Sequence, residues 1–194
     1  MRVLVACEES QRVTMAFREM GHTAFSCDLQ RCSGGHSEWH IRGDCFSVIE
    51  SESWDLVIAH PPCTYLAKSG SCNLVNARGE IKDFERYEKM LSAREFFMRF
   101  YMLDDSIKVC IENPVPMARA DLPPYSQIIQ PFQFGERYSK QTCLWLKGLP
   151  LLMPECYTLN KRKFGESWCG VHRSPKIKSK TFQGIANAMA KQWG

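Results

Sequence analysis

The fold is constrained most by a set of short apolar segments, each of which ends in polar or reactive residues. The wholly apolar residues 3–7 are followed by apolar positions three or four apart over 11–20, and then by the apolar residues 23–27. This order predicts a strand, an amphipathic helix and a second strand, with Ser10 as the helix N-cap and Gly21 as its stop. Such a βαβ unit has parallel strands and indicates an α/β fold.

Two more apolar segments, 55–59 and 107–111, also predict strands, since each runs into prolines that end a strand. The other predicted elements are a loop over 31–44, a long helix over 84–103, strands at 128–134 and 143–146, an irregular stretch over 147–180 and a closing helix over 181–193. We therefore expect a mainly parallel sheet flanked by helices, and such sheets bind ligands beyond the carboxyl ends of their strands.

Charge is concentrated near one end of the sequence. Residues 158–194 hold eight Lys or Arg and one acid, whereas residues 1–157 hold 17 basic and 20 acidic residues. A basic segment on a mildly acidic body indicates contact with phosphates. The alternative, a solvated face that only aids solubility, stays open.

Ten cysteines are present, and several lie inside apolar segments, where a thiol behaves as a small buried hydrophobe. The first apolar stretch is short and runs directly into Glu8 and Glu9, unlike a signal peptide. No apolar stretch approaches the ~20 residues of a membrane span. We expect reduced thiols, a cytoplasmic location and no membrane contact.

The predicted strand ends carry the chemistry. Asp28 closes the second strand, at the position where doubly wound folds hold a ribose through its hydroxyl groups. Cys63 follows a strand directly on a backbone stiffened by Pro61 and Pro62, and Glu112 ends the next predicted strand. A carboxyl that is partly desolvated there can share a proton with a ligand nitrogen.

Other chemistries fit less well. Four residues have ligand types at a spacing that zinc could use, Cys32, His36, His40 and Cys45, yet the paired C-x-x-C arms of most zinc modules are missing. A nucleobase deaminase needs a second cysteine where Leu66 stands, so we reject that reading. Phosphate-loop, serine-hydrolase and zincin motifs are absent from the sequence. We expect no bound metal.

Taken in order, the motifs resemble those of the cytosine carbon-5 DNA methyltransferases, especially short phage-type members. The matching residues are Asp28, Gly43-Asp44, Pro62-Cys63, Glu112-Asn113-Pro114-Val115, Phe134-Gly135 with Lys140 and Thr142, and Gly184-Ile185-Ala186-Asn187-Ala188. The resemblance spans nearly the whole chain. It implies a Rossmann-like S-adenosylmethionine-dependent methyltransferase fold, with a core over 1–146, a short basic segment over 147–180 and a helix over 181–194 that packs back on the core.

The resemblance also implies an activity, methylation of carbon 5 of cytosine in DNA, and it makes DNA the expected partner of the basic residues 161–180. Cys63 would form a covalent adduct with the base, and Glu112 would hold the ring nitrogen and amino group. The residues expected to bind S-adenosylmethionine are Cys7, Glu8, Ser10, Asp28, Asp44, Pro61 and Asn187. Those expected to bind the base are Pro62, Asn113, Lys140 and Thr142.

Three departures from the family pattern bear on this reading. The first loop, residues 6–11, lacks the family's glycines, and two family arginines appear here as Lys140 and Thr142. Only 34 residues, 147–180, stand where the family carries its sequence-reading domain. Two alternatives therefore stay open: a methyltransferase of free pyrimidine nucleotides, and a non-catalytic methyltransferase-like protein that binds nucleic acid or a partner.

Overall fold

The computed structural model describes residues 1–155, 166–168, 174, 177 and 179–194. The strands of its central sheet are β1 (Arg2–Ala6), β2 (Thr23–Asp28), β3 (His40–Arg42), β4 (Leu56–Ala59), β5 (Lys108–Pro114), β6 (Gln127–Ile129) and β8 (Thr142–Lys147). A separate two-stranded sheet pairs β7 (Tyr138–Ser139) with β9 (Glu166–Ser167). The helices are α1 (Arg12–Glu19), α2 (Cys45–Ser51), α3 (Ser71–Leu74), α4 (Phe84–Tyr101) and α5 (Gln183–Trp193).

The order of the seven strands defines the fold. The strands lie in the order β3-β2-β1-β4-β5-β8-β6, and β8 runs antiparallel to both of its neighbours while the other pairs are parallel. A mainly parallel sheet with one reversed strand next to its edge, flanked by helices, is the Rossmann-like methyltransferase fold. The predicted fold class is therefore confirmed.

Both faces of the sheet are covered by helices, as the fully apolar strands require. Alternate residues of β1 point to opposite faces, so Val3 and Val5 join one core cluster and Leu4 and Ala6 the other. The first cluster contains the buried faces of α1 and α5, and the second contains those of α2 and α4. None of the described helices is both long and apolar enough to cross a membrane.

One close backbone approach fixes the position of α5. A Cβ placed on Gly184 would lie 2.0 Å from the carbonyl oxygen of Phe134. Only glycine permits the helix to pack this closely. Arg12 adds a second tie, since its guanidinium donates to the carbonyl of Thr181 at 2.8 Å. These contacts hold α5 against the rest of the fold.

The long predicted elements are confirmed, with small shifts at their ends, but Ser10 is not the N-cap of α1. Gln11 takes that position in a left-handed conformation and makes no side-chain cap. The cap comes instead from the Glu8 carboxylate, which accepts from the N–H groups of Val13 at 2.7 Å and Thr14 at 3.3 Å. A longer side chain two residues earlier reaches the helix end as well as a serine would.

Three predicted segments can be compared with the structure in detail. The strand expected at 128–134 ends at Ile129, because Pro131 has no N–H for a ladder and starts a 3₁₀ turn. The loop expected at 31–44 contains β3, whose three residues at the sheet edge are too short to show a period. The irregular stretch expected at 147–180 includes β9, and most of its remaining residues lie outside the described part of the chain.

Candidate active site

The strand order reverses between β1 and β4, and this reversal places a crevice at the carboxyl ends of those strands. Because β8 is antiparallel, its first residue also lies at this edge, where Thr142 pairs with Pro114. The residues that the topology brings to the edge are Cys7, Glu8, Asp28, His60, Pro61, Cys63, Glu112, Asn113, Lys140 and Thr142. Most of the residues predicted from the sequence to form the site are among them.

The loop that carries Cys63 is held from both sides. Pro61 is buried, and its carbonyl accepts a hydrogen bond from the Asn113 side-chain amide at 3.0 Å. The Cys63 carbonyl accepts from the N–H groups of Leu66 at 3.0 Å and Ala67 at 2.9 Å, which closes a tight turn behind it. The half-buried thiol thus sits on a loop with a defined backbone, as a nucleophile requires.

The same loop is tied to the segment that follows Glu112. The N–H of Lys68 donates to the Val115 carbonyl at 2.9 Å, and the N–H of Met117 donates to the Leu66 carbonyl at 2.8 Å. Strands β4 and β5 are direct neighbours in parallel register, so the two loops leave the sheet side by side. The Cys63 loop is therefore braced against the segment that follows Glu112 and β5.

Glu112 forms a buried pair with His60. The imidazole Nδ1 lies 2.8 Å from Oε2 of Glu112, and the two side chains are 9% and 10% exposed. The Thr181 hydroxyl donates to the same oxygen at 3.5 Å. The loop before α5 thus also reaches the site.

Each member of this pair changes the pKa of the other. Burial raises the pKa of Glu112, but the hydrogen bond and charge of His60, with Lys140 and Thr181, outweigh it and lower that pKa. Burial lowers the pKa of His60, but Glu112 and the more distant Glu8 outweigh it and raise that pKa. The pair therefore favours an imidazolium beside a carboxylate.

Several cysteines near the site are disfavoured as thiolates. A hydrogen bond with Cys45, then burial, raise the pKa of the Cys7 thiol well above its ordinary range. Burial raises the pKa of Cys27 to about 12 and that of Cys143 to about 11. These thiols are structural, since the thiolate is the nucleophilic form.

Of the residues expected to bind the cofactor, Asp28 is the best placed. It ends β2, is half-buried, and accepts the N–H of Gln30 on Oδ1 at 2.9 Å. Leu29 follows it with 72% exposure, which puts an apolar surface beside a carboxylate. That combination suits a ribose with an attached planar ring. Asp44 follows β3, the neighbour of β2 in the sheet, and caps α2 through the N–H groups of Phe46 and Ser47.

The first loop, residues 6–11, contains no glycine but has two residues in a backbone conformation that favours glycine. Cys7 and Gln11 have φ angles of 59° and 58°, in the left-handed region that side chains disfavour. The backbone conformation of Gln11 is held by its buried side chain. The side-chain amide donates to the His36 carbonyl at 2.8 Å, and the side-chain oxygen accepts the His36 N–H at 3.1 Å. Gly34 is required there, because a Cβ would lie 2.6 Å from that of Gln11.

Other predicted site residues are engaged by the protein itself. Glu8 caps α1 and also accepts the Thr14 hydroxyl at 2.8 Å, and Ser10 is buried. Thr142 is buried, and its hydroxyl donates to the Lys140 carbonyl at 3.3 Å. Asn187 is exposed one turn into α5, where it accepts from the Gln183 amide. Their roles toward a ligand stay predictions, as does that of the exposed Pro62.

Two of the four residues at zinc-like spacing, His36 and His40, contact other side chains. His36 pairs with Glu38 at 3.1 Å, and His40 contacts the Ser26 hydroxyl at 2.8 Å. Within the described residues no group of three or more metal-ligating side chains comes together.

The predicted DNA-contacting segment, 161–180, lies mostly outside the described residues. Within them, the ammonium group of Lys180 contacts the Ser33 hydroxyl at 3.0 Å and a Glu9 carboxylate oxygen at 3.8 Å. This lysine therefore joins the end of the segment to the first loop.

Sequence reasoning missed two polar residues of the site, His60 and Thr181. His60 had a signal, because it stands directly before the two prolines at a predicted strand end. Thr181 had none, since it reaches Glu112 across 69 residues of chain.

Comparisons with known proteins give little beyond this geometry. No family model and no curated protein match the sequence. A solved structure with similarity is a triple mutant of Spodoptera frugiperda DNMT2, at 12% identity and a TM-score of 0.42. The match covers 90% of this chain and 55% of that one, so this chain spans about half the length of the DNMT2 chain. The fold is assigned from the strand order.

Proposed function

We propose that the protein is an S-adenosylmethionine-dependent methyltransferase that methylates carbon 5 of cytosine in DNA through a covalent Cys63 adduct. The observation that carries this proposal is the bracing of the Cys63 loop against the Glu112 strand. Asn113 holds the Pro61 carbonyl at 3.0 Å, so the loop and the carboxyl are fixed relative to one another. A nucleophile and a carboxyl arranged in this way suit attack on a pyrimidine ring.

Carbon 5 of cytosine is a poor nucleophile, and the proposed chemistry overcomes this with the thiolate. Cys63 adds to carbon 6, which makes carbon 5 electron-rich enough to accept a methyl group. Glu112 holds the ring nitrogen and amino group and stabilises the charge that develops there. Loss of the carbon-5 proton and of the Cys63 bond restores the ring. A base in duplex DNA has to be flipped out to reach the thiol.

Two residues at the end of β2 support the proposed binding of the cofactor. The Asp28 carboxylate suits a ribose diol, and the exposed Leu29 suits the face of an adenine ring. S-adenosylmethionine supplies the activated methyl group when it is bound. The chain's own contribution is to orient it against the base and to exclude water from the crevice.

Product analysis by mass spectrometry tests the proposal. The protein is supplied with S-adenosylmethionine and, in parallel, duplex DNA, single-stranded DNA or deoxycytidine monophosphate. 5-Methylcytosine in polymer only supports the proposal. No product with any of the three contradicts it and favours the non-catalytic binding protein.

A second candidate function, methylation of a free pyrimidine nucleotide, is favoured by the short connection between β8 and α5. Only residues 148–182 separate them, which is little for a domain that reads sequence. This candidate predicts methylated mononucleotide in the absence of DNA. It also predicts no DNA binding, whereas the first predicts binding that weakens steeply as salt rises.

A further inference from the structure

The buried pair of His60 and Glu112 is not explained by the roles assigned so far. His60 follows β4 directly, and its backbone N–H donates to the Ala6 carbonyl of β1 at 2.9 Å. This hydrogen bond fixes the backbone of His60 at the place where the strand order reverses. From there Nδ1 reaches Glu112 at 2.8 Å, with both side chains about nine-tenths buried.

Two polar atoms beside this pair are unsatisfied. Among the described residues, His60 Nε2 and Asn113 Oδ1 are buried and have no hydrogen-bond partner. An unsatisfied buried polar atom costs about 1–3 kcal/mol, so two at one strand-end crevice indicate a place that a ligand completes. In the imidazolium form Nε2 of His60 donates hydrogen bonds, whereas Oδ1 of Asn113 only accepts them.

The charged and titratable groups around the pair come from every neighbouring element. Glu112 faces His60 after β4, Lys140 before β8 and Thr181 before α5. The thiols of Cys110 and Cys143 lie within its electrostatic reach. His60 faces Glu112, Glu8 of the first loop and, more weakly, Lys140. Together they raise the pKa of His60 and lower that of Glu112, so the pair holds one proton over a wide range of pH.

We propose that His60 is a positioning residue for Glu112, which fixes the carboxyl through Nδ1–H and keeps one exchangeable proton at the pair for the ring nitrogen of a bound pyrimidine. This inference rests on the proposed function. It deepens that function by assigning the group that holds a proton beside the Glu112 carboxylate.

Before reaction the pair is an imidazolium and a carboxylate, and the Nδ1–H of His60 donates to Oε2 of Glu112 at 2.8 Å. As the Cys63 sulfur bonds to carbon 6, the π electrons of C5–C6 form a C4–C5 double bond and those of C4–N3 become a lone pair on N3. N3 takes a proton from Glu112 while the Nδ1 proton passes to Glu112 along their hydrogen bond, which leaves a carboxylate and a neutral imidazole with its proton on Nε2. When the S–C6 bond breaks, the electrons and the proton return by the same path.

Proton sharing is measured first without any substrate, by NMR titration of the histidine side chains. In the wild type, the pKa of His60 is expected above its ordinary value of 6.5. In Glu112→Gln it should fall below that value, because burial then dominates. His22, which precedes β2 at the opposite edge of the sheet, should titrate identically in both proteins. Identical titration of His60 in both proteins would overturn the inference.

The positioning role is measured on turnover with a His60→Gln variant. Glutamine can donate a hydrogen bond to Glu112 but cannot carry the proton. We expect kcat to fall by about 10-fold or more, the cofactor Kd to stay within about twofold, and the alkaline limb of kcat/KM to move. His22→Gln should keep the wild-type profile. Wild-type kcat and pH profile in His60→Gln would refute the role, as would an equal loss of cofactor binding.

The two tests separate this inference from the function on which it rests. If the wild type methylates none of the three substrates, the proposed function fails. The NMR titration, which needs no substrate, then still decides whether His60 and Glu112 share a proton.

Discussion

Side chains at the strand ends differ in the protein groups that they contact. The carboxylates of Glu8 and Asp44 cap helices, and the Thr142 hydroxyl is turned to a backbone carbonyl. Asp28 is half-buried beside an exposed leucine, and Cys63 is half-buried on a braced loop. Cys63 and Asp28 are the positions at which a substitution tests the proposed contacts with the base and with the cofactor most directly.

Cys63→Ala should abolish methyl transfer, since no other atom at that position can add to carbon 6. Cofactor binding and the free energy of unfolding should stay close to the wild type, because the substitution removes one half-buried sulfur. Turnover is followed by transfer of a labelled methyl group, with Cys72→Ala as the matched control at an exposed cysteine. Substantial residual turnover in Cys63→Ala would remove this residue from its proposed role.

Asp28→Ala should weaken binding of S-adenosylmethionine by about 1–3 kcal/mol, the cost of leaving the ribose hydroxyls without their acceptor. Isothermal titration calorimetry measures the affinity directly. Asp105→Ala is the matched control, since that carboxylate is 96% exposed and pairs with Lys147 at the end of β8. Equal affinity in Asp28→Ala and the wild type would mean that the ribose is held elsewhere.

Elements reach the site by close backbone contacts rather than by long side chains. Helix α5 approaches the Phe134 carbonyl so closely that only glycine fits at 184, and this approach brings Thr181 to Glu112. The Cys63 loop is tied by backbone hydrogen bonds to the segment after β5. The geometry of the site therefore depends on how elements pack.

Gly184→Ala tests the contact of α5. The added Cβ would lie 2.0 Å from a backbone oxygen, so the helix must move. We expect the free energy of unfolding to fall by about 1–3 kcal/mol, as for other overpacked positions. Urea unfolding measures it, with Gly43→Ala as control because nothing lies within 4 Å of a Cβ there. An unchanged or raised stability of Gly184→Ala would contradict the close approach.

In the molecule as a whole, the His60–Glu112 ion pair is buried near the point where the strand order reverses. Because the pKa of Glu112 is lowered, its stabilising effect is present above 4.5 and is lost as pH falls through the folded-state pKa. Because the pKa of His60 is raised, its effect is present below 6.5 and is lost as pH rises through the folded-state pKa. The pair therefore stabilises the fold most between those two ordinary values.

The pH dependence of stability tests this pairing in the intact chain. The free energy of unfolding of the wild type is compared with that of the double variant His60→Gln, Glu112→Gln from pH 4 to pH 9. Groups common to both proteins cancel in the difference. We expect the stability difference contributed by the pair to be largest between about pH 4.5 and 6.5 and to decline on both sides. A difference that does not vary with pH would show that the two groups are not coupled.

The sequence by itself determined the long elements and the residue types that stand at their ends. The apolar segments at 3–7 and 55–59 and the helical spacing at 84–103 are local patterns, and local patterns specify whether a segment is a strand or a helix. Prolines after two strands marked where the chain leaves the sheet. Asp28, Cys63 and Glu112 were found in this way, because parallel strands bring their carboxyl ends to one edge.

Tertiary structure alone decided which of these groups meet. The His60–Glu112 pair joins residues 52 positions apart, and the Asn113–Pro61 hydrogen bond spans the same separation. Such contacts depend on strand order and register, which no local pattern encodes. The structure also decided that Glu8 caps α1 and that the Thr142 hydroxyl donates to the Lys140 carbonyl. Each side chain bonds to a nearby backbone group that needs a partner.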